Sequence, residues 1–119
     1  MTLEELALKG FDIAAAMELC IDDEDIYREV LETALEEGKE KVPLIRECEQ
    51  NENYDRYIIE VYGLKNAARQ IGAMKLSEMA KEQENAGKAR EYDKIHAGVE
   101  PLLVEYNNVI AILEEFMAS

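Results

Sequence analysis

Residues 57–73, with the sequence YIIEVYGLKNAARQIGA, carry apolar side chains at intervals of three and four. This spacing places those side chains on one face of an α-helix, because successive residues turn by about 100° around the helix axis. The face consists of Tyr57, Val61, Leu64, Ala68 and Ile71. We therefore predict an amphipathic helix that starts near Tyr54, ends in a short break at Gly72 and Ala73, and packs against other elements.

Two short helices and one long helix are predicted before this stretch. The short helices run from Leu3 to Lys9 and from Asp12 to Cys20. The acidic residues 22–25 supply an N-cap and favourable charge at the start of the long helix, because negative charge stabilises the N-terminal end of a helix dipole. Its apolar stripe keeps phase through Gly38 and Pro43, so we expect one kinked helix or two collinear pieces, ending at residues 51–53.

Two further helices are predicted after residue 73. One runs from about Lys75 to Ala86 and is closed by Gly87, and the last runs from Tyr92 to Phe116. Short connections force consecutive helices to run antiparallel, since a short loop cannot return the chain to the same end. We therefore predict an all-α fold in which residues 1–119 form a single domain. It is an antiparallel up-down-up-down four-helix bundle, capped at one end by the short N-terminal helices.

The charge and hydropathy of the chain argue against two classes of partner. The net charge is −14, whereas nucleic acids and anionic membrane surfaces attract clustered Lys and Arg. No apolar run approaches the roughly 18 residues needed to span a bilayer, and the N-terminus lacks a secretory signal pattern. We predict a cytoplasmic protein without membrane insertion. Residues 56–94 nevertheless carry eight basic and six acidic side chains, which favours an acidic partner surface.

The residues that bind metals or form disulfides give no site. Cys20 and Cys48 fall on apolar helix stripes, which predicts two reduced core residues. His96 is the only histidine, whereas a di-iron helical bundle needs two Glu-x-x-His motifs. We therefore expect no metal and no other cofactor, and we interpret His96 as an ordinary surface or boundary histidine.

The face of helix 57–73 that lies away from the core stripe is unusual in composition. Tyr62 lies about 130° from the centre of the stripe on a helical wheel. The wheel places Ile58, Lys65, Asn66, Arg69 and Ala73 near it. Periodicity alone allows a solvated face, with one tyrosine packed on its neighbours, or a recognition surface.

Residues 62–73, YGLKNAARQIGA, resemble the signature of the histidine-containing phosphotransfer domains of two-component signalling, H-x-L-K-G/S-x-A-x-x-I-G-A. The positions in register are Leu64, Lys65, Ala68, Ile71, Gly72 and Ala73. The resemblance extends over nearly the whole chain and implies a four-helix bundle. In that family the histidine accepts a phosphoryl group from a receiver aspartate, and the lysine three residues later neutralises the phosphate. Small residues around the histidine let the receiver approach.

The sequence departs from this signature at two positions. Tyr62 stands where the family has its phosphoacceptor histidine, and Asn66 stands where Gly or Ser is usual. A neutral imidazole is a good nucleophile near pH 7, whereas a phenol, with a pKa of about 10, stays protonated and needs an activating base. We therefore predict that the protein is not an enzyme and cannot relay phosphate.

The leading hypothesis is a binding module that keeps the docking face of the family. Its partner is the receiver domain of a response regulator or of a hybrid histidine kinase. Lys65 and Arg69 pair with the acidic pocket of the receiver, and Tyr62 acts as an anchor. The face also contains Ile58, Gly63, Asn66 and Ala73. Two alternatives stay open: a structural or assembly bundle unrelated to receivers, and phosphotransfer through another residue.

Overall fold

The computed structural model describes residues 1–118, which form helices joined by short connections and contain no strand. The helices are α1 (Leu3–Leu8), α2 (Ile13–Leu19), α3 (Glu24–Gln50), α4 (Tyr54–Ile71), α5 (Met74–Lys88) and α6 (Tyr92–Ala118). Helix α3 packs against α4 and α6, and α5 packs against the same two helices. The last four helices therefore close a bundle around one core, and α1 and α2 pack at one end of it. The predicted all-α, up-down-up-down bundle is confirmed.

Side chains cap the starts of α1 and α3. Thr2 accepts a hydrogen bond from the backbone of Glu5, whose side chain bonds back to Thr2, so that α1 starts in a capping box. Asp23 accepts from the backbone amides of Asp25 and Ile26 and caps α3. Cys20 and Cys48 are buried and free, as expected.

The structure decides between the two alternatives for α3 and moves the end of α5. Helix α3 is one continuous α-helix through Gly38 and Pro43, so the alternative of two collinear pieces is wrong. Gly87, the predicted end of α5, lies one residue before the last residue of the helix, and Ile58 of α4 packs against it. A Cβ atom at Gly87 would lie 2.4 Å from Cγ1 of Ile58, so glycine allows α4 and α5 to approach closely at this point.

Buried tyrosines connect the helices through their hydroxyl groups. Tyr57 of α4 donates to Oε1 of Gln83 at 2.5 Å, and Gln83 donates in turn to the carbonyl of Lys94 at 3.1 Å. Tyr27 of α3 donates to the carbonyl of Ile71 at 2.7 Å. These bonds satisfy polar groups inside the bundle and fix where α4 begins and ends relative to its neighbours.

The turn between α4 and α5 is fixed by Gly72. Its φ of 85° lies in the left-handed region, and its carbonyl accepts a hydrogen bond of 2.8 Å from the amide of Asp12. A Cβ atom at Gly72 would lie 2.6 Å from the carbonyl oxygen of Asp12. The segment before α2 therefore covers this end of α4.

Replacing Gly72 with Ala is expected to lower the free energy of unfolding by about 2–4 kcal/mol, because backbone strain and a backbone clash act together. Gly63→Ala is the matched control, since Gly63 lies inside α4 and has no atom within 4 Å of a built Cβ. That control is expected to stabilise the chain by about 0.5–1 kcal/mol, as Ala does in a helix interior. Urea denaturation of both variants measures the difference, and equal stabilities would contradict the assigned role of Gly72.

Candidate functional site

Helix α4 presents a stripe of exposed side chains on the side away from the core. The stripe, which we call the Tyr62 surface, consists of Ile59, Tyr62, Gly63, Asn66 and Arg69. Ile59 is 63% exposed and Tyr62 is 50% exposed, which is high for large apolar or aromatic side chains on a packed helix. Residues three, four and seven apart share a helix face, so these side chains form one continuous patch.

Tyr62 lies beside a lysine and has no base next to it. The Nζ of Lys65 is 4.6 Å from the centre of the Tyr62 ring, a cation–π contact that orders both side chains. Within residues 1–118, no carboxylate or imidazole accepts a hydrogen bond from the Tyr62 hydroxyl. The site therefore supplies a positive charge beside the ring but no group to activate the phenol as a nucleophile.

Lys65 is also held from below by α5. Its Nζ donates to Oε1 of Glu84 at 2.8 Å, while Lys88 lies 2.7 Å from Oε2 of the same carboxylate. Glu84 is 2% exposed, so a buried negative charge is shared between two lysines. The hydroxyl of Ser77 donates to the Lys65 carbonyl at 2.9 Å and ties the same turn of α4 to α5. Lys65 is thus positioned from both sides.

These lysines decide the ionisation of Glu84. Burial alone raises the pKa of the Glu84 carboxyl, but hydrogen bonds from Lys65 and Lys88 and their charges outweigh burial and hold the pKa below its ordinary value. The carboxylate is therefore the stable form, and the pair of lysines keeps both of its oxygens occupied. Glu60, held by Lys41 and Arg56, follows the same pattern.

Acid is expected to weaken the fold through Glu84. A carboxyl group whose pKa falls on folding stabilises the native state above its unfolded-state pKa, about 4.3 for Glu, and this contribution disappears as pH drops through the folded-state pKa. The free energy of unfolding should therefore decline below about pH 5, and less steeply in Glu84→Gln. Urea denaturation across this pH range checks it. Glu82→Gln, which changes an exposed neighbour on α5, should leave the decline of the unfolding free energy with pH as in the wild type. An equal decline in Glu84→Gln and Glu82→Gln would contradict this role of Glu84.

Two residues predicted on the exposed face lie elsewhere. Ala73 is only 5% exposed, because the left-handed turn at Gly72 ends the helix and takes Ala73 off the helical wheel. Ile58 is partly buried against Gly87, because α4 packs on α5 as well as on the core. The expectation that both lie on the exposed face is wrong. Ile59, which the wheel argument missed, occupies that face, and its position three residues before Tyr62 was the available signal.

Gly63 stands at the centre of the Tyr62 surface without a packing reason. No heavy atom lies within 4 Å of a Cβ built at this position, and its φ is not in the left-handed region. A glycine inside a helix costs about 1 kcal/mol relative to alanine. The helix therefore carries this cost without gaining closer packing inside the chain, and the surface beside Tyr62 stays flat.

His96 lies in a separate cluster on α6. Its Nδ1 is 2.7 Å from Oε2 of Glu49 and its Nε2 is 2.7 Å from the hydroxyl of Tyr54, so both ring nitrogens have partners. The Tyr54 ring in turn stacks on Tyr92 with centroids 3.9 Å apart. The imidazole is part of the contacts that hold α3, α4 and α6 together near the helix ends, as a boundary histidine.

The described residues contain neither a metal-binding cluster nor a membrane-spanning helix. No group of three or more His, Cys, Asp or Glu side chains is placed to hold a metal ion within residues 1–118. No helix of the described chain has the length and apolar character needed to cross a membrane.

Solved structures share this fold. The phosphotransfer domain of a sensor hybrid histidine kinase from Shewanella superposes with a TM-score of 0.83 at 15% identity, covering 92% of this chain and 94% of that domain. The histidine-containing phosphotransfer protein B of Pseudomonas aeruginosa PAO1 gives a TM-score of 0.78 at 20% identity, with coverage of 89% and 92%. No protein-family model and no curated protein matches the sequence.

The chain therefore has the fold of the histidine-containing phosphotransfer domains. The superpositions span 92% and 89% of this chain, so they extend over most of the bundle. The sequence resemblance at residues 62–73 predicted this fold, and the structure bears it out.

Proposed function

We propose that the protein is a binding module of two-component signalling, which docks on the receiver domain of a response regulator or hybrid histidine kinase and takes no phosphoryl group from it. The Tyr62 surface is the docking site, with Lys65 at its edge. The protein acts as an adaptor or competitor, because a receiver bound here is occupied without being discharged.

The main support for this proposal is the exposed glycine at position 63. A flat, exposed glycine beside an aromatic anchor lets the backbone of α4 approach another protein closely. Since no contact inside the chain requires glycine here, close approach by a partner is the remaining physical reason for it. Ile59 and Tyr62 provide apolar area on either side, and Tyr is enriched among residues that dominate binding energy.

The charges around the surface favour an acidic partner. Arg69 is exposed two turns after Tyr62, and Lys65 lies against the ring. A phosphorylation pocket built from carboxylates is acidic, so these cations favour the encounter with it even though the chain as a whole is negative. Lys65 is the less mobile of the two, because Glu84 also holds it.

The absence of phosphate transfer follows from the chemistry of Tyr62. Transfer from an aspartyl phosphate needs a nucleophile whose lone pair is available near neutral pH, which a neutral phenol without a base does not offer. His96 is held by Glu49 and Tyr54 in a different part of the bundle, and the residue three positions after it is Val99, not a lysine. Neither residue supplies the reversible acceptor that a relay needs.

Titration of the labelled chain with a panel of receiver domains from the same source tests the proposal. At least one receiver is expected to bind saturably, and Tyr62→Ala should weaken that binding about 30-fold, which corresponds to about 2 kcal/mol for an aromatic anchor. Val104→Ala, which truncates a half-exposed side chain on α6, is the control and should leave the affinity unchanged. Equal affinities of wild type and Tyr62→Ala for every receiver that binds, or no binding at all, would contradict it.

A further inference from the structure

An open groove of about 500 Å³ runs between α3 and α4 beside the Tyr62 surface. Its floor and rims include Glu37, Glu40, Ile59, Gly63, Leu64 and Tyr106. A second cavity of about 260 Å³ continues it along the same two helices and shares Glu37 with it. The combined volume lies in the range of small-ligand sites, and its lining is apolar at the floor and acidic at the rim.

The floor of the groove holds a polar atom without a protein partner. Tyr106 is 93% buried, since its exposed fraction is 7%, and its ring packs against Gly38. Its hydroxyl makes no hydrogen bond within residues 1–118, yet every fully buried side-chain N or O atom in that range has a partner. The hydroxyl is therefore not fully buried, and Tyr106 is one of the residues that line the groove. Burial, with smaller contributions from Glu37 and Glu60, raises the pKa of Tyr106 to about 12, so the phenol stays neutral.

Two of the three carboxylates that line the groove form no ion pair within residues 1–118. Glu37 and Glu40 are exposed on α3 and form no ion pair within the described residues. Glu60 and Lys41 also line the groove, but they pair with each other at 2.8 Å, and Arg56 holds the second Glu60 oxygen at 2.7 Å. The groove thus offers two uncompensated negative charges above an apolar floor and a free hydroxyl.

We infer that this groove binds an organic cation, a guanidinium or alkylammonium group carried on an aliphatic chain. The N–H groups of the cation donate to Glu37, Glu40 and the Tyr106 oxygen, which are acceptors at three positions around one volume. Its methylene groups pack on Leu64 and Ile59. This inference does not depend on receiver binding, although the groove shares Ile59 and Gly63 with the Tyr62 surface. An occupant here lies directly beside any protein bound at Tyr62.

The test uses two small probes, agmatine and the amide of N-acetyl-arginine, added to the intact chain while amide NMR signals are followed at low salt. Both probes are expected to shift the signals of Gly63, Leu64 and Ala67 saturably. Agmatine binding at least tenfold more tightly than the arginine amide would identify a free dication as the ligand. Equal affinity of the two probes would identify a single basic side chain of a bound protein. Either result supports a cation site.

Variants separate this site from the general acidity of the chain. Glu37→Gln with Glu40→Gln should weaken binding about tenfold or more, and Tyr106→Phe, which keeps the ring on Gly38, about threefold to tenfold. Glu32→Gln with Glu36→Gln removes the same charge from exposed positions of α3 outside the groove and should change the affinity less than twofold. Shifts that never saturate, an effect of the control pair equal to that of Glu37 and Glu40, or an unchanged affinity in Tyr106→Phe would overturn the assignment.

Discussion

Replacing Tyr62 with His is expected to turn the chain into a phosphate acceptor for a receiver that it binds. The substitution places a neutral imidazole nitrogen, a good nucleophile near pH 7, at an exposed position of α4. In the reaction the P–O bond of the receiver's aspartyl phosphate breaks, a P–N bond forms on the imidazole, and the aspartate leaves as a carboxylate. The expected change is from no acid-labile phosphate on the chain to a saturable amount of it.

Lys65 is already close enough to assist this transfer. Its Nζ contacts the Tyr62 ring now, so it lies near the position that a phosphoryl group on residue 62 would occupy. Turning Lys65 toward phosphate removes one partner from Glu84, but Lys88 still holds the other oxygen of that buried carboxylate. The new contact with phosphate has to offset the loss of the Lys65–Glu84 contact, and Lys65→Ala in the Tyr62→His background should weaken acceptance by loss of a charge-assisted contact.

Asn66 sets the main obstacle to this gain of activity. It lies one turn after Tyr62 on the same face and is larger than the Gly or Ser usual in the related signature. Phosphoryl transfer needs an in-line approach, which a side chain at this point obstructs. The assay therefore pairs Tyr62→His with a second variant that also carries Asn66→Gly, and uses Tyr62→Phe as the control without a nucleophile. Inactivity of both histidine variants toward receivers that the wild type binds would contradict this reading of the face.

The second large effect is expected at Gly63. Gly63→Gln should weaken receiver binding about 100-fold, or about 2.7 kcal/mol, because a long side chain at the centre of a close interface prevents the backbone of α4 from approaching. The same variant should be slightly more stable than wild type, since Gln is a better helix former than Gly and the position is open. Loss of binding together with a gain in stability distinguishes an interface residue from a structural one.

Gly63→Ala is the graded control for this effect. Alanine adds one methyl group, so it should raise stability while reducing receiver affinity much less than glutamine does. Isothermal titration measures the affinities, and urea denaturation measures the stabilities. Unchanged receiver affinity in Gly63→Gln would show that the partner does not contact this part of α4, and the docking surface would have to be moved.

The fold was predictable because the apolar spacing is nearly uninterrupted in every long helix. Interior Gly and Pro residues did not disturb the phase in α3, and packing against neighbouring helices kept that helix continuous. The helix ends were harder to predict, because local sequence propensity and tertiary packing compete at those positions. Gly87 illustrates the competition: its sequence signal is that of a helix end, whereas its role is to receive the Ile58 side chain.

The exposed face was predictable in outline but not in its contacts. The wheel placed Tyr62, Lys65 and Arg69 on one side, and the structure puts the first two in contact. The partner of Lys65 is Glu84, 19 residues later on another helix, and no periodicity reveals such a pair. The helical wheel also misplaced Ala73. Gly72, the residue before it, has left-handed backbone angles, so the regular rotation from one helical residue to the next does not continue to Ala73. The groove next to Glu37 lies between two helices, so the spacing of apolar residues within either helix does not reveal it.

Phosphate transfer from labelled receivers tests most directly the claim that the chain docks without accepting phosphate. A receiver carrying radioactive aspartyl phosphate is mixed with the immobilised wild-type chain. The amounts of receiver retained and of acid-labile phosphate on the chain are then measured in the same sample. The account predicts saturable retention of receiver with no phosphate on the chain. Saturable phosphate on the wild-type chain, or no retained receiver while its fold is intact, would contradict it.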